Sequence, residues 1–233
     1  MKHVFFDFFG TLVDYDPSPV GATVNAPFEY ISRAGMECSE ERVDELWLSA
    51  WRELEVISEL DGSEFSMSDV VRLFHKGLSC ADVTEDSQRD LIAAYLEAWT
   101  SSISPVAGLE ACLREIGESH VLSVVSNTHD SDLVPSLIEK FKIEDYFESV
   151  TTSIDVGWRK PHPEIFRISL EAVNARAEET LFVGDAWIPD VVGPQSVGMG
   201  TIYIGSPPVN SRFVSLSVSE FAELPGLIHS ISR

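Results

Sequence analysis

Several short stretches place reactive side chains directly after apolar runs. Asp7 follows Val4-Phe5-Phe6, and Asp185 follows Leu181-Phe182-Val183-Gly184. A carboxylate closing a wholly apolar strand is costly to bury without a task. Asp7 therefore reads as a nucleophile and Asp185 as a metal ligand. Asp190 lies five residues beyond Asp185; it can cap a helix, ligate the same metal or support a ligand. Ser126-Asn127 end the run that starts at Val121, and Lys160 precedes Pro161 in a loop. Two carboxylates side by side repel each other unless a cation intervenes. Mg²⁺ suits such oxygen ligands and leaves room for waters and a substrate phosphate. A lysine beside the nucleophile keeps it ionised and offsets charge developing on the substrate. Ser126 can donate to a phosphoryl oxygen and Asn127 ends the same strand, so both are expected at the substrate. Gly10 lets the loop after Asp7 turn close to a ligand, and Thr11 orders that turn at the substrate's edge.

These groups act together only if the fold brings them to one rim. From Pro105 onward, buried strands alternate with helices: helix over 108–116, strand over 121–125, helix over 133–141, and a short strand near Val150. A helix over 164–173, a strand over 180–183, a helix over 190–196 and a strand over 201–204 follow. That alternation predicts an α/β fold with a Rossmann-like parallel sheet covered on both faces, whose ligand crevice lies beyond the carboxyl ends of the strands. Between Pro17 and Ser102 the pattern is helical throughout. Ser39-Glu40-Glu41 starts one helix, and Val43, Leu46, Trp47, Ala50, Leu54, Ile57 and Leu60 recur at helical spacing until Asp61-Gly62. The expected organisation is a core of residues 1–16 and 103–233, with an all-helical cap domain of about four helices over 17–102. Trp47, Trp51 and Trp99 read as cap core, whereas Trp158 and Trp187 flank reactive positions and could wall a pocket.

Composition narrows the functions open to the chain. Sixteen Lys and Arg against 38 Asp and Glu give a formal net charge of −22. Nucleic acid is held by basic side chains, so this balance argues against such a partner. No run nears the roughly 18 apolar residues of a membrane span, and the N-terminus lacks a leader pattern. Cys38, Cys80 and Cys112 are odd in number and widely spaced, as expected of reduced thiols in a cytoplasmic protein. A small molecule is the expected partner; monomer and homodimer both stay open.

Asp7-Phe8-Phe9-Gly10-Thr11-Leu12-Val13, Val125-Ser126-Asn127, Arg159-Lys160-Pro161 and Gly184-Asp185 with Asp190 resemble, in order, the four motifs of the haloacid dehalogenase-like hydrolases. The helical segment resembles that family's first class of cap. The resemblance implies an aspartyl-enzyme intermediate on Asp7, with Mg²⁺ held by Asp7, Asp185 and the backbone carbonyl of Phe9 and bordered by Asp190. It implies a phosphatase acting on a small phosphorylated metabolite, with Ser126 and Lys160 holding its phosphoryl oxygens.

One position departs from the phosphatase pattern. The family's phosphatases carry a second aspartate two residues after the nucleophile, as acid and base, and this chain has Phe9 there. Members resembling haloacid dehalogenases use an aromatic residue at that place and cleave carbon–halogen bonds without metal. Phosphonate-cleaving members keep Mg²⁺ but need a cap lysine, for which Lys76 is the candidate. A weakly active or purely binding member is a further alternative. The acidic pair Asp185 and Asp190 favours the magnesium-dependent phosphatase. Asp14, Asp16 and His129 are candidates to replace the missing acid.

Overall fold

In a computed structural model, residues 1–15, 25–78, 84–209, 212–213 and 215–231 are described below. Asp16 and Cys80, singled out above, lie outside them. The chain divides into two compact units, Met1–Tyr15 with Ser104–Arg233, and Asp16–Ile103.

The first unit is built on a parallel sheet whose strand composition explains its order. β1 (His3–Phe6) is the apolar run before Asp7, with Val4, Phe5 and Phe6 fully buried. A strand buried on both faces belongs in a sheet's centre. β2 (Val13–Asp14) and β3 (Ser104–Pro105) form a short antiparallel pair where the chain leaves and re-enters this unit. β4 (Val121–Ser126), β5 (Phe147–Thr152), β6 (Thr180–Gly184), β7 (Gly200–Ile204) and β8 (Leu216–Val218) complete the sheet in the order β5-β4-β1-β6-β7-β8. β1 lies between β4 and β6, with Phe6 level with Val124 on one side and Val183 on the other. Because the strands are parallel, their carboxyl ends share one rim. Asp7 continues the ladder by donating its backbone N–H to Val183 O at 2.9 Å.

Side-chain alternation sorts the apolar residues between the two faces. Phe5, Val125 and Phe182 pack with Ile165, Phe166 and Leu170 of the helix Pro163–Ala172. Phe6, of opposite parity, meets Phe221 at 6.2 Å between ring centroids. β8 and the helix Leu224–Ile231 extend the unit beyond the expected strands. The expected helix over 190–196 is a π-turn, Ile188–Val192, running into Gly193–Ser196.

The second unit carries α1 (Ala26–Arg33), α2 (Glu40–Asp61), α3 (Met67–Gly77) and α4 (Glu85–Thr100). Ser39 caps α2 by accepting the Arg42 N–H, and Gly62, at φ 78°, terminates it. Ser66 and Asp69 form a reciprocal capping box at the start of α3. Trp47 is core, its ring centroid 5.3 Å from Phe74 and 5.0 Å from Tyr95. His75 is also structural: its Nδ1 pairs with Val71 O at 2.8 Å and its Nε2 with the Tyr30 hydroxyl at 3.1 Å. Cys38 and Cys112 are free thiols. Among the described residues, no helix is long and apolar enough to cross a membrane.

Candidate functional site

The rim formed by β1, β4 and β6 gathers the reactive residues around one buried ammonium. Lys160 Nζ lies 2.7 Å from Asp7 Oδ1 and 2.7 Å from Asp190 Oδ1. The same Nζ sits over the Phe182 ring, 5.2 Å from its centroid. Burial alone would lower the Lys160 pKa, but the charges of Asp190 and Asp7 overcome it and raise the value, so Lys160 stays an ammonium. The lysine is held from behind. Asn127 Oδ1 accepts the Lys160 backbone N–H at 2.7 Å, and Asn127 Nδ2 donates to Lys160 O at 3.1 Å.

Asp190 is fully buried and both its oxygens are engaged, Oδ1 by Lys160 and Oδ2 by the backbone N–H of Ala186 at 2.9 Å. Its carboxyl is raised to about 7, chiefly by burial, with the Lys160 charge opposing the rise and the Asp7 charge adding to it. The π-turn delivers this side chain onto Gly184, where a Cβ would lie 2.4 Å from Asp190 Cγ. Glycine is therefore dictated at the end of β6 by what lies above it.

Asp185 is half-buried and raised, first by burial and then by the Asp7 charge. Thr11 donates its hydroxyl to Asp185 Oδ1 at 3.2 Å. The loop after Asp7 that carries Thr11 is tightly wound: Phe8 O accepts from Leu12 N at 2.9 Å and Val13 N at 3.1 Å, and Gly10 N donates to Val13 O at 2.8 Å. Gly10 has φ 80°, and a Cβ there would lie 2.4 Å from Asp185 Oδ2. Close approach and left-handed backbone both require glycine.

Ser126 ends β4 fully buried, its hydroxyl making a long 3.3 Å bond to Asn127 O. Thr11 and Asn127, expected at the substrate, direct their side chains at Asp185 and Lys160 in this structure. Phe9 is half-buried, its ring edge-on to Phe8 at 5.1 Å and to Tyr15 at 5.6 Å. Asp14 is exposed on β2, and His129 is half-buried beyond β4. Tyr15 and Tyr203 escape a reading of the sequence. Burial raises both hydroxyls, and Asp185 and Asp190 raise both further, with Asp7 adding at Tyr15. Only the register, which sets Tyr203 level with Gly184, reveals the second.

Asp7, Asp185 and Asp190 each offer an oxygen within 4.8 Å of the others. Three carboxylates against one ammonium leave negative charge uncompensated, and the donors are all hard oxygens. That set fits a divalent cation of the Mg²⁺ type, with Asp7 and Asp185 the members whose oxygens are not both engaged.

The chain is similar to several known proteins. The glyceraldehyde 3-phosphate phosphatase of Pyrococcus furiosus is 28% identical over 244 residues, spanning 100% of this chain and 94% of that protein. The ribulose-1,5-bisphosphate 5-phosphatase of Halopiger xanaduensis is 25% identical over 202 residues, 85% of this chain and 82% of its own. In fold, the chain is similar to the crystal structure of a 2-haloacid dehalogenase from Pseudomonas syringae pv. Tomato DC3000, with a TM-score of 0.76 at 20% identity, covering 99% of both chains. The sequence profile of the haloacid dehalogenase-like hydrolases matches residues 1–198, and the chain belongs to that family of hydrolases.

Proposed function

We propose that this chain is a phosphoric monoester hydrolase that transfers the phosphoryl group of a small metabolite to Asp7 and then to water. The observation that carries the reading is the Lys160 ammonium set 2.7 Å from both Asp7 and Asp190, beside a third carboxylate on Asp185. Such a site sets an ammonium against Asp7, the nucleophile of this reading, yet retains excess negative charge, which is the setting for a divalent cation rather than for metal-free attack on carbon. Two relatives whose names give phosphatase activities, matched over most of their length, point the same way.

In this reading Asp7 and Asp185, with the backbone carbonyl of Phe9, hold Mg²⁺. When bound, the metal offsets charge on the phosphoryl oxygens. Asp7 attacks phosphorus, and the bond to the leaving oxygen breaks with its electron pair. Lys160, protonated throughout, stabilises the charge gathered on the equatorial oxygens. Ser126 exchanges its long bond to Asn127 O for one to a phosphoryl oxygen. Water then attacks the phosphorus of the aspartyl phosphate, returning the Asp7 carboxylate and releasing inorganic phosphate. Asp190 and Asn127 are positioning residues that fix the Lys160 head and backbone, and Thr11 does the same for Asp185.

The test is phosphate release from a panel of phosphate esters with Mg²⁺, with EDTA, and with the Asp7→Asn variant. Release that needs both Mg²⁺ and Asp7 is the expected result. Halide release from 2-haloacids that survives EDTA would refute it in favour of dehalogenation.

A further inference from the structure

Two aromatic pairs stand beside the carboxylates, each with one member two residues after Asp7 or Asp185. Phe9, two residues after Asp7, meets Tyr15 edge-on, with ring centroids 5.6 Å apart and planes at 62°. Trp187, two residues after Asp185, meets Tyr203 edge-on at 5.1 Å and 84°. The register sets Tyr203 level with Gly184, the residue before Asp185, so this second pair is anchored to the sheet at the rim itself. All four rings are half-buried, leaving part of each beside a strongly charged site. Both tyrosine hydroxyls feel that site, because the charges of Asp185 and Asp190 raise them beyond what burial does. Ring faces and edges of this kind favour contact with another aromatic group.

The chemistry of the leaving group leads to the same class. The family resemblance drawn from the sequence implies that Phe9 takes the place of the phosphatases' proton donor, and an apolar ring cannot protonate an alkoxide. A phenolate needs no such help, since it is a far weaker base. Resting on the phosphatase reading above, we infer that the substrate is an aryl phosphate, whose ring packs against the Phe9–Tyr15 and Trp187–Tyr203 pairs and which departs as the phenolate. The Asp7 carboxylate forms a bond to phosphorus while the phosphorus–oxygen bond to the ring breaks, its electron pair leaving with the phenolate. Water then attacks the aspartyl phosphate; the Asp7–phosphorus bond breaks, the water's protons stay on the inorganic phosphate, and the phenolate takes its proton from solvent.

A leaving-group series on the unaltered full chain tests this directly. Phosphate release with Mg²⁺ is followed for para-substituted phenyl phosphates, for simple alkyl phosphates, and for acetyl phosphate, which has a good leaving group and no ring. The expected result is a kcat/KM that falls steeply as the phenol becomes more basic, with alkyl phosphates about 10²–10⁴-fold slower than phenyl phosphate, the usual worth of a general acid. Trp187→Ala should raise the ratio of the phenyl phosphate KM to the acetyl phosphate KM by about 3- to 10-fold, the worth of one aromatic contact. A purely structural role for Trp187 would move both KM values together and overturn the assignment of the rings. Alkyl and aryl phosphates cleaved equally well would overturn the substrate class while leaving the phosphatase reading intact. Absence of Mg²⁺-dependent release from every ester and from acetyl phosphate would overturn both.

Discussion

Gly10 and Gly108 offer a matched experiment on how the site is built. Both have left-handed backbone, φ 80° and 78°. An alanine at either carries the same conformational penalty, roughly 1–2 kcal/mol. Their surroundings differ. A Cβ at Gly108 meets nothing within 4 Å, whereas at Gly10 it would lie 2.4, 2.7 and 2.8 Å from Oδ2, Cγ and Oδ1 of Asp185. Carbon contacts settle at about 3.5–4.0 Å, so the Asp185 carboxylate must retreat by about 1 Å. It can do so, because it is half-buried and the colliding atoms are the far end of its side chain. The collision is therefore relieved by losing the site rather than by unfolding the loop. The retreat breaks the 3.2 Å bond from Thr11 and displaces one of the two proposed metal ligands.

Gly10→Ala and Gly108→Ala are thus expected to lose similar stability in urea melts, about 1–2 kcal/mol. Gly10→Ala alone should weaken Mg²⁺ binding by about 10- to 100-fold in calorimetric titration, the usual effect of disturbing a ligand's support. It should also lower kcat by about 10²-fold, as expected for a 1 Å misplacement at the chemistry. Gly184→Ala provides the opposite case. Its Cβ would lie 2.5 Å from the Asp190 Cβ as well as 2.4 Å from Cγ, against a fully buried side chain whose base cannot swing away. There the expected loss is of folding stability itself, about 3–5 kcal/mol, since a buried ion pair is broken. If Gly10→Ala bound Mg²⁺ and turned over as Gly108→Ala does, the proposed coupling of the Gly10 loop to Asp185 would be refuted.

Two further outcomes follow from the Lys160 cluster. Asn127→Ala leaves the backbone N–H and carbonyl of Lys160 without their side-chain partners, so kcat should fall while stability drops by about 1–3 kcal/mol; an unchanged kcat would remove Asn127 from the positioning of Lys160. Asp190, faced by Lys160, Asp7 and the Ala186 N–H, is raised from 3.8 to about 7 in the folded chain, chiefly by burial. Between those values the folded chain holds a proton that the unfolded chain releases, so in EDTA stability should fall as pH rises through that window. The slope should flatten in Asp190→Asn; urea midpoints measured across the window decide, and a stability that rose with pH would contradict the sign.

The sheet's inner strands were legible because their physics is local. Val4-Phe5-Phe6 and Leu181-Phe182-Val183 are apolar without alternation, as strands buried on both faces must be, and each ends in a carboxylate. The helix after Ser39 was legible for a similar reason, since Ser39 caps it by a short-range bond, and periodicity marked α3 and α4, which Ser66 and Thr84 cap in the same way. What escaped has weak or contradictory local signals. β8 is three residues with one buried, and the helix Leu224–Ile231 opens on Leu-Pro-Gly, a poor helix sequence that packing overrides. β2 and β3 are two residues each and owe their pairing to a contact across the whole intervening segment. The π-turn at Ile188–Val192 has no periodicity to distinguish it from an ordinary helix start.

The site divides along the same line. Which residues reach the rim can be read from strand ends, since each strand carries its terminal side chain there whatever the neighbours are. Which residue holds which cannot, because those bonds join distant parts of the chain: Asn127 to Lys160 across 33 residues, Lys160 to Asp190 across 30, Thr11 to Asp185 across 174. Asp190 illustrates the consequence. Its place after Asp185 suggested a ligand as readily as a cap, and in the structure Lys160 and Ala186 engage both its oxygens. With Asp190 committed to holding the ammonium, Asp7 and Asp185 are left as the carboxylates for the proposed cation. Lys160 then serves both sides, its ammonium 2.7 Å from both Asp190 Oδ1 and Asp7 Oδ1, so substituting it would disturb the fold of the rim and the proposed nucleophile together.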